Sequence, residues 1–196
     1  MKKNLITSVL MTIATTILLG IVYPLLVTAL VQVIFPKQAN GQLIPGNGKA
    51  IGSRIIGQGF SAAKYFHSRP SAAGNGYDAA NSGGSNFGPT NQKLIDRVKG
   101  DVASAQSQNS GTSVPIDLVT TSASGFDPHI TPAAAEYQLA RIARERNATV
   151  DQLRVLLGKH TEGRQWGILG EPRVNVLELN LELDEQFPMN RQAKAQ

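Results

Sequence analysis

The residues best suited to chemistry are three histidines, His67, His129 and His160. Asp127 stands two places before His129, and Glu162 two places after His160. Either carboxylate could orient an imidazole as a general base. The surrounding pattern argues against an enzyme. A Ser-His-Asp hydrolase needs a nucleophile elbow, and GxSxG does not occur. A zinc site needs three or four converging ligands, and HExxH is absent. With no cysteine, a thiol nucleophile, a cysteine zinc site and a disulfide framework are all excluded. The simpler reading makes Asp127-Pro128-His129 a loop tied by side-chain hydrogen bonds and His160-Thr161-Glu162 the polar end of a helix. No catalytic or metal-ligating residue is expected.

One stretch invites a nucleotide reading. Ser82-Gly83-Gly84-Ser85-Asn86 is glycine-rich backbone before a helix, a combination that can cradle anions. The loop carries no lysine and no GxxxxGK[ST], so an ordinary turn into a helix explains it more simply. It lies within residues 67–91, which have few large apolar side chains. Loops of this length inside compact domains are usually functional or flexible. Arg69, Tyr77, Asp78 and Phe87 are specific enough to imply order. The formal charge of +5 includes Lys2 and Lys3, and the other basic residues are scattered. A nucleic-acid surface would need a clustered basic face, so that partner is not expected.

The elements around these residues begin with a membrane segment. Leu5 to Phe35 contains no charged residue. As a helix it is roughly 46 Å long, more than the ~20 residues that cross the hydrocarbon core. A cleaved signal peptide would have a shorter apolar region and a small-x-small site, and Val33-Ile34-Phe35-Pro36 offers none. The expectation is a retained anchor: residues 1–36 as tail and helix, with a span of about 10–33. Pro36 should stop the helix. Lys2 and Lys3 favour a cytoplasmic N-terminus, which places the domain outside.

Ser8, Thr12, Thr16, Gly20, Pro24, Thr28 and Gln32 recur every fourth position along this helix. Small residues let another helix approach closely, and hydroxyls can bond across the contact. Ser8, Thr12, Thr16, Gly20, Thr28 and Gln32 are therefore the expected helix-packing face. A period of four drifts about 40° per step against 3.6 residues per turn. The competing reading has Ser and Thr bonding their own backbone while Gly20 and Pro24 bend the helix.

Residues 37–50 read as a polar linker with a turn at Pro45-Gly46-Asn47-Gly48, and residues 51–196 as one soluble domain. Ile51 to Phe66 suggests strand and turn. Leu94, Ile95, Val98 and Val102 predict a helix from about Asn91 to Ala105. Val114 to Thr120 is strand-like. Thr131 then Pro132 open a helix that breaks at Asn147-Ala148. Thr149 to Gln152 is a capping box for the next helix, which runs to Gly158. From Pro172 onward strand and helix both fit. Leu177, Leu179, Leu181 and Leu183 alternate, yet Val174, Leu177 and Leu181 share a helical face. The fold class is α+β: one N-terminal transmembrane helix, then one extracytoplasmic mixed α/β domain.

Several long motifs carry a resemblance: YFHSRPSA (65–72), SGGSNFGPTN (82–91), VPIDLVTTSASGFDPHITPAAA (114–135), HTE (160–162) and GEPRVNVLELNLELD (170–184). Together they closely resemble the KdpC family of potassium-transporting ATPase subunits, over nearly the whole chain. Phe87 and Phe126 stand where a smaller aliphatic residue is expected, a difference of packing. The resemblance implies a non-catalytic subunit of the ATP-driven Kdp potassium-uptake complex in the bacterial inner membrane. It implies as partners a channel-like potassium-binding subunit, a P-type ATPase catalytic subunit and a small single-span subunit, besides the lipid bilayer. ATP and potassium are then used by the complex, with no cofactor bound by this chain. A role as catalytic chaperone, raising ATP affinity of the catalytic subunit, is also implied.

That role sits uneasily with an external domain, because ATP is cytoplasmic and the tail Met1 to Asn4 is too short to form a site. The alternative is an inward-facing domain whose SGGSNFGPTN segment touches nucleotide. Two other functions remain: a membrane-anchored periplasmic hydrolase using His129 or His160, and an envelope-binding module working alone.

Overall fold

The computed structural model describes residues 1–46, 48–109 and 111–189. Two compact units emerge, Met1–Ile51 and Gly52–Gln196.

The first unit is dominated by a continuous helix, Lys2–Ile34, long and apolar enough to cross a membrane. It consists of α1 (Lys2–Thr15), a wider π-helical turn (Thr16–Val22) and α2 (Tyr23–Ile34). The π turn has a local cause. Pro24 has no N–H, and its ring would strike the carbonyl a turn before it. Widening the turn relieves that clash, and the Tyr23 N–H donates to Leu18 O.

Pro36 ends the helix one residue earlier than its own position. The residue before a proline is driven out of the α region, and Phe35 sits at φ −131°. The membrane helix thus stops at Pro36 as expected, and Pro36 itself opens the separate four-residue α3 (Pro36–Ala39). That position suits proline because the first helical N–H needs no partner. The linker is also structured, since β1 (Leu43–Gly46) and β2 (Lys49–Ser53) pair as a two-stranded sheet. Asn47, in the expected turn, lies outside the described residues.

The second unit packs helices on a small sheet. After α4 (Gln92–Gln108) and a 3-10 turn (Ile116–Leu118) come β3 (His129–Ile130), α5 (Pro132–Arg146) and α6 (Val150–Lys159). Strands β4 (Thr161–Glu162) and β5 (Arg173–Asn175) and helix α7 (Val176–Gln186) complete it. The sheet order is β3-β5-β4, antiparallel throughout, with Ile130 and Thr161 both opposite Val174. Its core joins Phe66, Ile130, Leu139, Ile142, Leu153, Leu156, Val174, Leu179 and Leu183.

The caps are where local sequence chemistry puts them. Thr131 Oγ1 accepts from Ala134 N–H, and Asn147 closes α5 in the left-handed region at φ 50°. Thr149 and Gln152 form a reciprocal capping box on α6. Thr149→Ala is expected to lower unfolding free energy by about 1 kcal/mol, read as a shifted urea midpoint of the detergent-solubilised chain.

One expectation is corrected and one open alternative is resolved. Val114 to Thr120 forms no strand, and its Ile116–Leu118 part is a 3-10 turn. Pro115 supplies no ladder donor, and the Asp117 carboxylate turns inward to accept Thr131 N–H at 2.6 Å. Pro172 does not open the last helix. It precedes β5, and Asn175 caps α7 by accepting Glu178 N–H. The last segment is thus strand and then helix, with the junction at Val176, where the alternation slips. The expected apolar face of α4 is present, but Leu94, Ile95, Val98 and Val102 are only half-buried.

Candidate functional site

Along the membrane helix, the small-residue stripe divides into used and free groups. Ser8 Oγ donates to Leu5 O at 2.9 Å, and Thr12 Oγ1 donates to Ser8 O at 2.8 Å. Gln32 exchanges amide hydrogen bonds with Asn40 across the Phe35 break. Among the described residues, Thr16 and Thr28 make no side-chain hydrogen bond. A Cβ added at Gly20 would meet only Thr16 Cγ2, at 3.8 Å. Among the described residues, nothing therefore requires glycine there. The π turn spans the Thr16-to-Gly20 step. A period of four overshoots an α turn and undershoots a wider π turn, so the drift reverses at that step. The stripe runs straighter there than in an uninterrupted α-helix.

Residues 67–91, and Phe66 just before them, are ordered by polar clamps. Asn180 Oδ1 accepts Phe66 N–H at 2.8 Å, while its Nδ2 donates to Phe66 O at 2.9 Å. Gln138 does the same for His67, accepting its N–H at 2.7 Å and donating to its carbonyl at 3.2 Å. These two side chains replace a neighbouring strand and satisfy buried backbone. Arg69 donates to the Asp127 carboxylate at 2.9 Å and to Thr120 O. Tyr77 Oη donates to Arg69 O at 2.8 Å, and its ring meets Phe126 edge-on. Asp78 accepts from Ala80 N–H and Asn81 Nδ2; these two bonds hold its carboxyl below its ordinary pKa. Phe87 remains exposed.

Within the glycine-rich candidate, Ser82 Oγ and Gly83 N–H both donate to Ser124 O. A Cβ at Gly84 would crowd the Ala123 backbone. These glycines give close approach of two loops. Asn86 sits at φ 52°. Ser85 and Asn86 lie several residues ahead of α4, whose N-terminus Asn91 caps by accepting Lys93 N–H at 2.9 Å.

The histidines lie apart in function. His67 Nε2 bonds Ala62 O at 3.1 Å; burial first, then the Arg141 charge, pushes its pKa down. Asp127 Oδ1 accepts the His129 amide at 3.0 Å but lies 3.8 Å from its ring nitrogen, too far to orient it. Burial, then Arg173, lowers the His129 pKa against the opposing pull of Asp127. Glu162 is held by Arg173 at 3.0 Å and by Arg54. Burial raises its pKa, but those arginines outweigh that and leave it below its ordinary value. His160 contacts Glu182. No group of three His, Asp or Glu converges as a metal site among the described residues. A cavity of about 450 Å³ beside His67 is lined by Arg69, Tyr137 and Arg141, whose polar atoms already bond backbone carbonyls.

Both depressed histidines act on stability in one direction. Each has an ordinary pKa of 6.5, lowered on folding. The unfolded chain then binds more protons below that pH, so stability falls as pH falls through 6.5 and below. The urea midpoint is expected to drop between pH 7.5 and 5.5, and less steeply in His67→Asn.

Sequence reasoning did not single out Asn180, Gln138 or Arg146, the last of which donates to Lys64 O, Phe187 O and the Asp184 carboxylate. The signal for Asn180 was a polar residue at a core register of a leucine-rich helix, between Leu179 and Leu183. A tight hairpin carrying Trp166 was also not singled out.

A single apolar helix long enough to cross a membrane, followed by one mixed helix-and-sheet domain, fits the class of membrane-anchored proteins. Residues 5–185 match the family model for the c chain of K+-transporting ATPases, KdpC. The chain is 69% identical over 189 residues to the potassium-transporting ATPase KdpC subunit of Koribacter versatilis, covering 96% of this chain and 98% of that one. It is 58% identical over 183 residues to that of Acidobacterium capsulatum, covering 93% and 98%. It is 52% identical over 191 residues to that of Rhodospirillum rubrum, covering 96% and 99%. The chain belongs to the KdpC family, and so is an accessory subunit of a K+-transporting Kdp ATPase complex.

Proposed function

We propose that this subunit works from outside the cytoplasm, as an assembly element of the complex in the bacterial inner membrane. The observation that carries this reading is the exposed membrane helix with its small-residue face. A lone anchor needs no such face. The helix docks against the membrane helices of a channel-like potassium-binding subunit, a P-type catalytic subunit and a small single-span subunit. Thr16, Gly20 and Thr28 lie at the contact, with Ser8, Thr12 and Gln32 extending it. The Lys2 and Lys3 tail stays inside, and the domain covers the channel-like subunit on the outer face.

In this arrangement the Ser82 to Asn86 loop does not meet ATP. Any rise in the ATP affinity of the catalytic subunit reaches it through packed membrane helices, as a coupling free energy between distant sites. The test compares complexes purified with and without this chain. Without it, intact complex should fall sharply, and the ATP concentration for half-maximal hydrolysis should rise about five-fold or more. Equal yields and equal ATP dependence would contradict the reading.

A further inference from the structure

The hairpin between β4 and β5 presents an apolar point. Gln165 and Leu169 pair across it, with Gln165 N–H donating to Leu169 O at 2.8 Å and Leu169 N–H to Gln165 O at 2.9 Å. At its tip Trp166 is 88% exposed and Ile168 73%, with Leu169 also exposed. Arg164 clasps both oxygens of Glu171 at 2.9 Å across the base. Trp166 and Gly167 both have positive φ, 52° and 77°. Glycine suits that geometry, but for a bulky residue it is an outlier. Local turn chemistry favours asparagine there over tryptophan. A strained, exposed tryptophan marks a contact surface more than a folding device.

We propose that this tip dips into the headgroup region of the bilayer that the chain's own helix crosses. Three things on the molecule favour lipid as the occupant. The exposed apolar residues of the hairpin are only Trp166, Ile168 and Leu169, few against the roughly 20–30 residues a side of a usual protein interface. Tryptophan with neighbouring aliphatics is the composition of membrane interfaces, where an amphipathic ring sits at headgroup level. The chain also fixes the domain to a bilayer: only residues 36–51 separate the membrane helix from the second unit, at most about 60 Å of extended chain. Tethering at that reach makes the bilayer an intramolecular partner at high effective concentration. The proposal rests on membrane anchoring and not on the orientation or assembly role proposed above.

Trp166 is the only tryptophan in the chain, so it reports directly on its own surroundings. The full-length chain, reconstituted alone into phosphatidylcholine–phosphatidylglycerol nanodiscs, should give blue-shifted emission, quenching by lipids brominated near the headgroup, and a several-fold smaller acrylamide quenching constant than a Trp166 peptide. Ile168→Asp, at an exposed position outside the core, should restore acrylamide quenching. Red-shifted, freely quenched emission in the nanodisc would overturn the proposal. So would shielding that survives Ile168→Asp, or shielding that arises only when the other subunits are present, which would assign the tip to a protein partner.

Discussion

A chain carrying Gly20→Leu is expected to fold and insert, yet fail to co-purify with the other subunits. Leucine is a better helix former than glycine by about 0.8–1 kcal/mol, so the substitution does not weaken the helix itself. The space around Gly20 within the chain is open, since the only near atom is Thr16 Cγ2 at 3.8 Å. Damage must then come from a neighbouring helix. A small residue lets two membrane helices approach closely, and overpacking such a contact costs about 1–3 kcal/mol. That penalty reduces recovery of the complex about ten-fold or more. Leu19→Phe, one residue off the stripe, should leave recovery near normal. Unchanged co-purification of the Gly20→Leu chain would remove Gly20 from the contact.

The second large effect is expected inside the domain. Asn180 is 2% exposed and brackets both backbone groups of Phe66, itself fully buried. Asn180→Leu keeps the volume but removes donor and acceptor together. Phe66 N–H and C=O are then left without partners, at about 1–3 kcal/mol per unpaired buried group. The expected loss is roughly 3 kcal/mol, on the order of 10 °C in melting temperature. Thermal unfolding in detergent followed by circular dichroism measures it. A change within about 2 °C would show that Phe66 finds other partners. Asn180→Asp should cost at least as much at neutral pH, because it buries an unpaired carboxylate that faces the Phe66 carbonyl and cannot donate to it.

These two residues show which parts of the molecule could be read from sequence. Thr131, Pro132, Asn147, Thr149 and Gln152 act on backbone within a turn of themselves, and the helices they bound appear where their chemistry implies. The membrane helix was legible for the same reason, as an unbroken apolar run. Order in residues 67–91 was suggested by the specificity of Arg69, Tyr77, Asp78 and Phe87, of which Phe87 stays exposed. The actual clamps were not legible, since Gln138 reaches back 71 positions and Asn180 reaches back 114. No local pattern encodes such pairings. Val114 to Thr120 misled because an apolar run fits a strand as well as it fits a turn fixed by Asp117. From Pro172 to Asp184 the patterns misled, because the alternating Leu177, Leu179, Leu181 and Leu183 all lie on α7, while Val174, which fitted a helical face, lies in β5. The phase slip at Val176 marks where β5 hands over to α7.

The stripe on the membrane helix shows the opposite limit. Its spacing was plain, but the competing readings of backbone bonding and partner packing both find support: Ser8 and Thr12 bond their own helix, while Thr16, Gly20 and Thr28 remain available. The π turn forced by Pro24 adds a reason to favour Thr16 and Gly20, since it straightens the stripe at that step.

Everything proposed for the domain's role in the complex depends on which side of the membrane it occupies. The direct measurement is protease protection of a C-terminally tagged chain in sealed right-side-out and inside-out vesicles from cells expressing the whole complex. The account predicts digestion of the domain in right-side-out vesicles and protection in inside-out ones. Digestion only in inside-out vesicles would place the domain with cytoplasmic ATP and contradict it.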